Sequence, residues 1–443
     1  MVQLTPTLAP AAMLYGEGAF AVAPMMDYTN RFLRFMLRRI SRRATLYTEM
    51  VTANTIVHCD PRELSRFLGT RAHFSHMWAR LSPHHFPHTP ARFSFPVETD
   101  GERERPVVLQ LGGSDPHQLR AAAAIAAEWG GFDAINLNCG CPSDRVAGGG
   151  GFGAAMMAQP ELVGACCAAI RDGTGGSLPV SVKCRVGLAD SAREAIEAHE
   201  SDLYEGLSRF VTVVAAEGGV THFAVHARQA VLGGLSPAQN REVPPLRHHL
   251  VHSLAREYPQ YSFSLNGGLN SHEDIRTHLD CGKDREGGGG GGANPPPLPR
   301  PHDGRVSGVM LGRAVIARPW QWSTLDTALF NEPFDAATDR RHLLHEYAAF
   351  GAEQERRMPQ RIRRLLLSPA LNLFAGEPHG KQFRARIDQR AKDESLGFEE
   401  ILIGCAEETL LKETLDAPPG HVWDHHERCY LPPAEPAKVE RDE

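Results

Sequence analysis

The residues with the clearest chemical potential are Asn136-Leu137-Asn138-Cys139-Gly140-Cys141-Pro142-Ser143-Asp144-Arg145, which begin as an apolar/polar alternation and end in a polar loop carrying a thiol. On strand alternation Ile135 and Leu137 face one way and Asn136 and Asn138 the other, so two amides point together just before the chain turns. A cysteine in such a passage is more often a small buried hydrophobe than a reactive group. Parity separates the two thiols here. Cys139 continues the series of Ile135 and Leu137 and reads as packing, whereas Cys141 lies past the strand end. A thiol there, with an ordinary pKa of ~8.5, stays protonated at neutral pH and suits a general acid better than a nucleophile.

Eight short runs rich in β-branched or alternating residues are the elements that must position this loop: 20–26, 44–50, 106–112, 134–139, 179–185, 222–228, 261–267 and 308–313. Helical patterns fall between them at 31–40, 116–129, 161–171, 202–217, 244–257 and 271–280. The alternation predicts an α/β fold, a (β/α)8 TIM barrel, with a doubly wound open sheet as the alternative. The polar residues favour the barrel. Gln110, Asn136 with Asn138, Ser181 with Lys183 and Arg185, His226 with Arg228, and Ser264 with Asn266 recur at one parity near the ends of five successive strands. A single buried Lys or His is usually a satisfied core group, but chemistry in this fold collects at the strands' C-terminal ends, and five aligned strands make a site. The last two strands end in Asn266-Gly267-Gly268 and Gly312-Arg313, where glycines let backbone amides approach an anion, which implies a phosphorylated ligand.

The 443-residue chain is 42% hydrophobic and 23% charged, and no run approaches the ~20 apolar residues of a membrane span. No membrane association is expected. Nine cysteines at scattered spacings do not form a secreted disulfide framework, and residues 1–20 show no signal or transit pattern, so a cytoplasmic site is the default, an organellar one staying open. The predicted organisation is an N-terminal extension at 1–19, a barrel at 20–325 with insertions at about 61–105 and 286–303, an all-helical C-terminal domain at 335–415, and a tail at 416–443. Helices are predicted over 340–355, 361–374, 380–392 and 398–415, with Leu365, Leu366, Leu371 and Phe374 forming an apolar face and Arg361, Arg363 and Arg364 on the other sides. Net charge is −6 overall, yet 356–390 holds nine Arg or Lys against Glu377 and Asp388, a net +7. A basic segment on an acidic body points to a polyanion, the alternative being a solvated helix face. The tail's His421, His425, His426 and Cys429 lack a second spaced pair, so no metal is expected.

Several motifs closely resemble those of the tRNA-dihydrouridine synthases, especially their A-type branch, from about residue 21 to 388. They are Ala23-Pro24-Met25-Met26-Asp27, Tyr47-Thr48-Glu49-Met50, Gln110-Leu111-Gly112-Gly113, 136–146, Val182-Lys183-Cys184-Arg185, Val225-His226-Ala227-Arg228, Gly234-Leu235-Ser236-Pro237, Asn240-Arg241-Glu242, Asn266-Gly267-Gly268 and Leu311-Gly312-Arg313. The resemblance implies an FMN-containing barrel that uses NADPH to reduce uridines of the tRNA D arm, around position 20, with the helical domain helping to hold the tRNA; separately from the resemblance, a monomer is expected. It implies Cys141 as the catalytic cysteine; Gln110, Lys183, His226, Asn266, Gly267, Gly268, Gly312 and Arg313 as flavin-binding positions; and Pro24 and Met25 against the flavin. Asn138 and Arg228 resemble positions near the uracil, and Arg361, Arg363 and Arg364 stand as phosphate contacts. Lys183 and His226 would together offset charge on the reduced flavin. The loop at 147–155 departs from the family in length, and Ala155 stands where many relatives carry a second cysteine. The rival readings are a flavin barrel acting on a free pyrimidine, as in the dihydroorotate dehydrogenases, and a tRNA-binding relative without catalysis.

Overall fold

The computed structural model describes residues 14–60, 64, 68, 104–143, 151–280, 305–357 and 362–433. Eight parallel strands close a barrel in chain order: β1 Ala19–Val22, β2 Thr45–Thr52, β3 Val107–Gly112, β4 Ala134–Asn138, β5 Val180–Arg185, β6 His222–His226, β7 Ser262–Asn266 and β8 Gly308–Leu311. Closure is made by β8 against β1, with Gly308 opposite Ala19. That seam needs a glycine, because a Cβ at position 308 would sit 2.5 Å from the Ala19 carbonyl oxygen. The strands are almost wholly buried, as expected where helices cover one face and a packed interior the other.

The barrel interior is layered. Leu14, Tyr15, Ala21, Tyr47, Val108, Ala134, Ala224 and Met310 form one apolar cluster toward the strand beginnings. Tyr15 stacks on His222 with centroids 4.0 Å apart and donates to Ser181 Oγ at 3.2 Å, so the segment before β1 plugs this end. Above it the inward positions turn polar, and parallel register brings them level: Gln110 opposite Asn136, Asn136 opposite Ser181, Asn138 opposite Lys183, and Arg185 opposite His226 opposite Asn266. Helix α1 Arg31–Ile40 follows β1 in the chain, and the helices of the barrel unit include α2 Pro116–Trp129, α3 Pro160–Gly173, α4 Glu200–Gly218, α5 His248–Glu257 and α6 His272–Asp280. Helix α2 starts with Pro116 in the first turn and an Asp115 side chain accepting from His117 N–H at 2.8 Å, the usual remedy for orphan amides.

Residues 31–44 and 313–443 form a second compact unit, apart from the barrel residues. It is wider than the 335–415 segment and takes α1 from the first crossover. Phe35 stacks on Phe350 at 3.8 Å, Arg31 donates to Gln354 Oε1 at 2.7 Å, and the turn after α1 binds Asp326 through Ser41 Oγ at 2.5 Å and Arg42 N–H at 2.8 Å. Its larger helices are α7 Arg340–Arg357, α8 Gly380–Arg390 and α9 Phe398–Thr409. The helix predicted over 361–374 is instead a short helix Arg363–Leu367 and a 3-10 turn Ser368–Asn372, with Pro369 unable to donate within a longer α-helix. Leu365 does not join the apolar face: it is 47% exposed while Leu366 and Phe374 are buried. The segment 398–415 breaks where Leu410 adopts an extended backbone.

The tail is an antiparallel hairpin, Val422–Asp424 with Cys429–Leu431. Its Tyr430 hydroxyl donates to Glu377, and buried Arg340 pairs with the same carboxylate from between the Trp320 and Tyr430 rings. Among the described residues no helix is long and apolar enough to cross a membrane. The insertions expected at about 61–105 and 286–303 lie outside the described residues, save Leu64, Leu68, Glu104 and Arg105.

Candidate active site

Asn138, the last residue of β4, organises the thiol loop. Its Oδ1 accepts from the N–H groups of Gly140 at 2.9 Å and Cys141 at 3.1 Å, and its Nδ2 donates to Gln110 Oε1 at 3.3 Å and lies 3.0 Å from Met50 Sδ. Gln110 passes the chain on to Asn136 Oδ1 at 2.8 Å, and Asn136 to Ser181 Oγ at 3.0 Å. Buried amides linked in this way are satisfied and therefore rigid. An irregularity in β2 between Tyr47 and Met50 re-aims Thr48, whose hydroxyl accepts from Gln110 N–H at 3.0 Å. Gly112 leaves room for Met50 Sδ and Phe152 Cε2, each 2.8 Å from where a Cβ would be.

Cys141 emerges half-buried from this scaffold. Its carbonyl accepts from Ala154 N–H at 2.9 Å, and the preceding Gly140 carbonyl accepts from Arg185 Nε at 3.0 Å, so the loop is tied on both sides of the thiol. Cys139, one turn back, is fully buried, and burial pushes its thiol well above the ordinary range, the neighbouring Cys167 and Cys184 adding to the effect.

The opposite wall is cationic. Lys183 is half-buried, and burial, reinforced by the Arg185 guanidinium, lowers its pKa from 10.5 to about 8. Among the described residues no group accepts a hydrogen bond from its ammonium. His226 is held well below its usual pKa by burial first, then by Arg185 and Lys183. Burial and these two cations both favour its neutral imidazole form. Its Nδ1 accepts from Arg228 N–H at 3.3 Å, so the proton sits on Nε2, 3.1 Å from where a Gly267 Cβ would be.

Arg185 has a role that strand parity alone did not reveal. Besides Gly140, it donates to the carbonyls of Gln229 at 3.3 Å and Asn240 at 3.0 Å, bracing three loops from one buried guanidinium. Asn240 in turn clamps Val231, accepting from its N–H at 2.8 Å and donating to its carbonyl at 2.9 Å. The signal for Arg185 is faint in sequence because all these partners are backbone carbonyls of distant loops. Arg228 is half-buried and donates to the Pro244 carbonyl.

At the end of β7, Gly267 and Gly268 have φ of +105° and +79°, a path that only glycine follows without strain. Their carbonyls are engaged by protein donors, Gly267 with His248 Nε2 at 2.8 Å and Gly268 with Asn270 Nδ2 at 2.9 Å. Asn266 is fixed by its Nδ2 donating to the Met310 carbonyl at 2.6 Å. At the end of β8, a Cβ on Gly312 would lie 3.1 Å from Met25 Sδ, and half-buried Pro24 and Met25 are shaped by Thr29, whose hydroxyl accepts from Met25 N–H at 2.9 Å. The barrel mouth thus gathers Pro24, Met25, Gln110, Asn138, Cys141, Lys183, His226, Arg228, Asn266, Gly267, Gly268 and Gly312. An ammonium with no acceptor among the described residues, an imidazole N–H and a Gly-Gly turn with bound carbonyls fit an anionic, hydrogen-bonding cofactor.

The remaining candidates belong to the second unit. Arg313 opens the helix Arg313–Ala317 and is exposed; Arg361 lies outside the described residues. Arg363 is committed internally, pairing with Glu355 at 2.6 Å and donating to the carbonyls of Asp393 at 2.8 Å and Leu396 at 2.9 Å. Arg386 and Arg390 both pair with Glu408, and Arg357 with Glu353. Those carboxylates flank the 356–390 window, so the +7 overstates the free charge; Arg364 and Lys381 are exposed and carry no such pairing among the described residues.

Residues 21–75 and 87–285 match the family described as dihydrouridine synthase. The chain is 35% identical over 382 residues to a tRNA-dihydrouridine(20/20a) synthase of Synechocystis sp., covering 86% of this chain and 91% of that protein. It is 38% identical over 380 residues to the protein of that name in Xanthomonas axonopodis pv. citri, covering 86% and 90%. The Escherichia coli protein of that name is 33% identical over 378 residues, covering 85% and 88%.

Proposed function

The chain belongs to the dihydrouridine synthase family, and on that premise we propose that it is a flavin-dependent tRNA-dihydrouridine synthase reducing the uracil C5=C6 bond of D-loop uridines with NADPH. The relatives' shared name directs the reading to positions 20 and 20a. The observation that carries it is the half-buried thiol of Cys141 fixed at the same barrel mouth as the Lys183 ammonium, which has no acceptor among the described residues, and a glycine turn suited to a phosphate.

When bound, FMN supplies the hydride equivalent that NADPH delivers and C6 of the uracil receives. The chain's own residues do the rest. Cys141 gives the Sγ proton to C5, and the resulting thiolate recovers a proton from water. Asn138 holds the Cys141 amide so that the thiol stays aimed into the mouth. Lys183 supplies the positive charge toward an anionic ring edge, while neutral His226 offers only its Nε2–H. Gln110 and Asn266 fix a planar ring by hydrogen bonds, Pro24 and Met25 give it an apolar seat, and Gly267-Gly268 receives the phosphate. Arg228 and Asn138 face the base, which must be unstacked from the folded RNA to enter, so affinity has to come from phosphate contacts elsewhere.

The decisive experiment is incubation of the purified protein with NADPH and unmodified tRNA, followed by mass spectrometry of the nucleosides. A flavin spectrum and a uridine gaining two hydrogens at the D-loop site are expected. Reduction of free uracil or orotate with tRNA untouched would replace this reading by the small-pyrimidine one.

A further inference from the structure

Three histidines lie together where α5 and α6 pack behind the Gly267-Gly268 turn. His252 Nε2 and His278 Nδ1 are 3.0 Å apart with their rings stacked at 5.3 Å, and His248 meets the His278 ring edge-on at 4.6 Å. His248 faces the turn directly. Its Nε2 is 2.8 Å from the Gly267 carbonyl oxygen, and its Cε1 would be 3.5 Å from a Cβ on Gly268. A carbonyl can only accept, so His248 is the donor through Nε2–H.

This bond controls more than one carbonyl. In a trans peptide the C=O of Gly267 and the N–H of Gly268 point in opposite directions. Anchoring the carbonyl on His248 therefore turns the Gly268 amide away from the helices. A pair of glycines with positive φ has little intrinsic resistance to flipping that peptide, and a flip would present a carbonyl oxygen to an incoming anion. We propose that His248 is a positioning residue that locks the Gly267–Gly268 peptide with its N–H toward the ligand's phosphate. The proposal rests on reading that turn as the flavin phosphate site.

The test compares the apoprotein's affinity for FMN with that for riboflavin, which lacks the phosphate, by quenching of flavin fluorescence. His248→Phe keeps a ring against His278 but removes the donor. FMN affinity should fall roughly three- to tenfold while riboflavin affinity holds, and His248→Gln, whose amide N–H can reach the carbonyl, should recover most of the loss. Equal losses for both flavins, or no loss for FMN, would overturn the proposal and leave His248 as packing. If His248→Phe does not fold by circular dichroism, His248→Leu takes its place in the same comparison. A wild-type protein with no preference for FMN over riboflavin would overturn the phosphate reading of the turn itself, an outcome distinct from failure of the variants.

Discussion

Lys183 responds to pH in two opposite ways, because its ammonium is desolvated yet open to a ligand. Its pKa drops from 10.5 to about 8 in the fold, so between those values the unfolded chain holds the extra proton and stability rises with pH. Anion binding needs the ammonium and weakens as pH climbs through about 8. The dissociation constant for FMN should therefore rise above pH 8 in the wild type and stay flat in Lys183→Met; equal slopes in a fluorescence titration would remove Lys183 as the charged partner. Cys141→Ala should lower dihydrouridine formation by about 10²–10⁴-fold with flavin content unchanged. Strand parity made Asn138, Lys183 and His226 legible as inward polar residues. The lowered basicity of His226 was not legible, since it depends first on burial in the closed barrel and then on Arg185 and Lys183, which only barrel register brings beside it.

Among elements, the barrel strands were readable because each is a short buried run between helical stretches with a different period. The basic segment was readable only as a sum. Its arginines divide by what their neighbours in the fold offer, and Glu353, Glu355 and Glu408 lie at positions outside the window that defined the charge. Arg364→Ala and Lys381→Ala should each reduce the salt slope of tRNA binding, by up to about 0.9 if each meets one phosphate. Arg363→Ala should instead lower the urea midpoint, by about 1–2 kcal/mol in stability, since it strips Glu355 and two carbonyls of a donor. The β8–β1 seam has its own sensitivity. Gly308→Ala would press a methyl group against the Ala19 carbonyl and should destabilise the barrel by about 1–3 kcal/mol in thermal or urea unfolding, with little effect on the separate helical unit.

For the whole molecule, the α/β barrel with a helical companion was foreseeable, but the interleaving of the two units was not. Helix α1 has the spacing of any first crossover helix, and nothing in its pattern says which unit its buried residues serve. In the structure it belongs with α7, through Phe35 on Phe350 and Arg31 on Gln354, while the whole of 45–312 intervenes in the chain. Synthesis on a ribosome must then run out of step with assembly. Phe35 and Arg31 leave the exit tunnel early and meet Phe350 and Gln354 only after residues 45–312 have been translated. The growing chain thus carries an amphipathic, arginine-rich helix through the making of a whole barrel before its own unit can close, an invitation to chaperones.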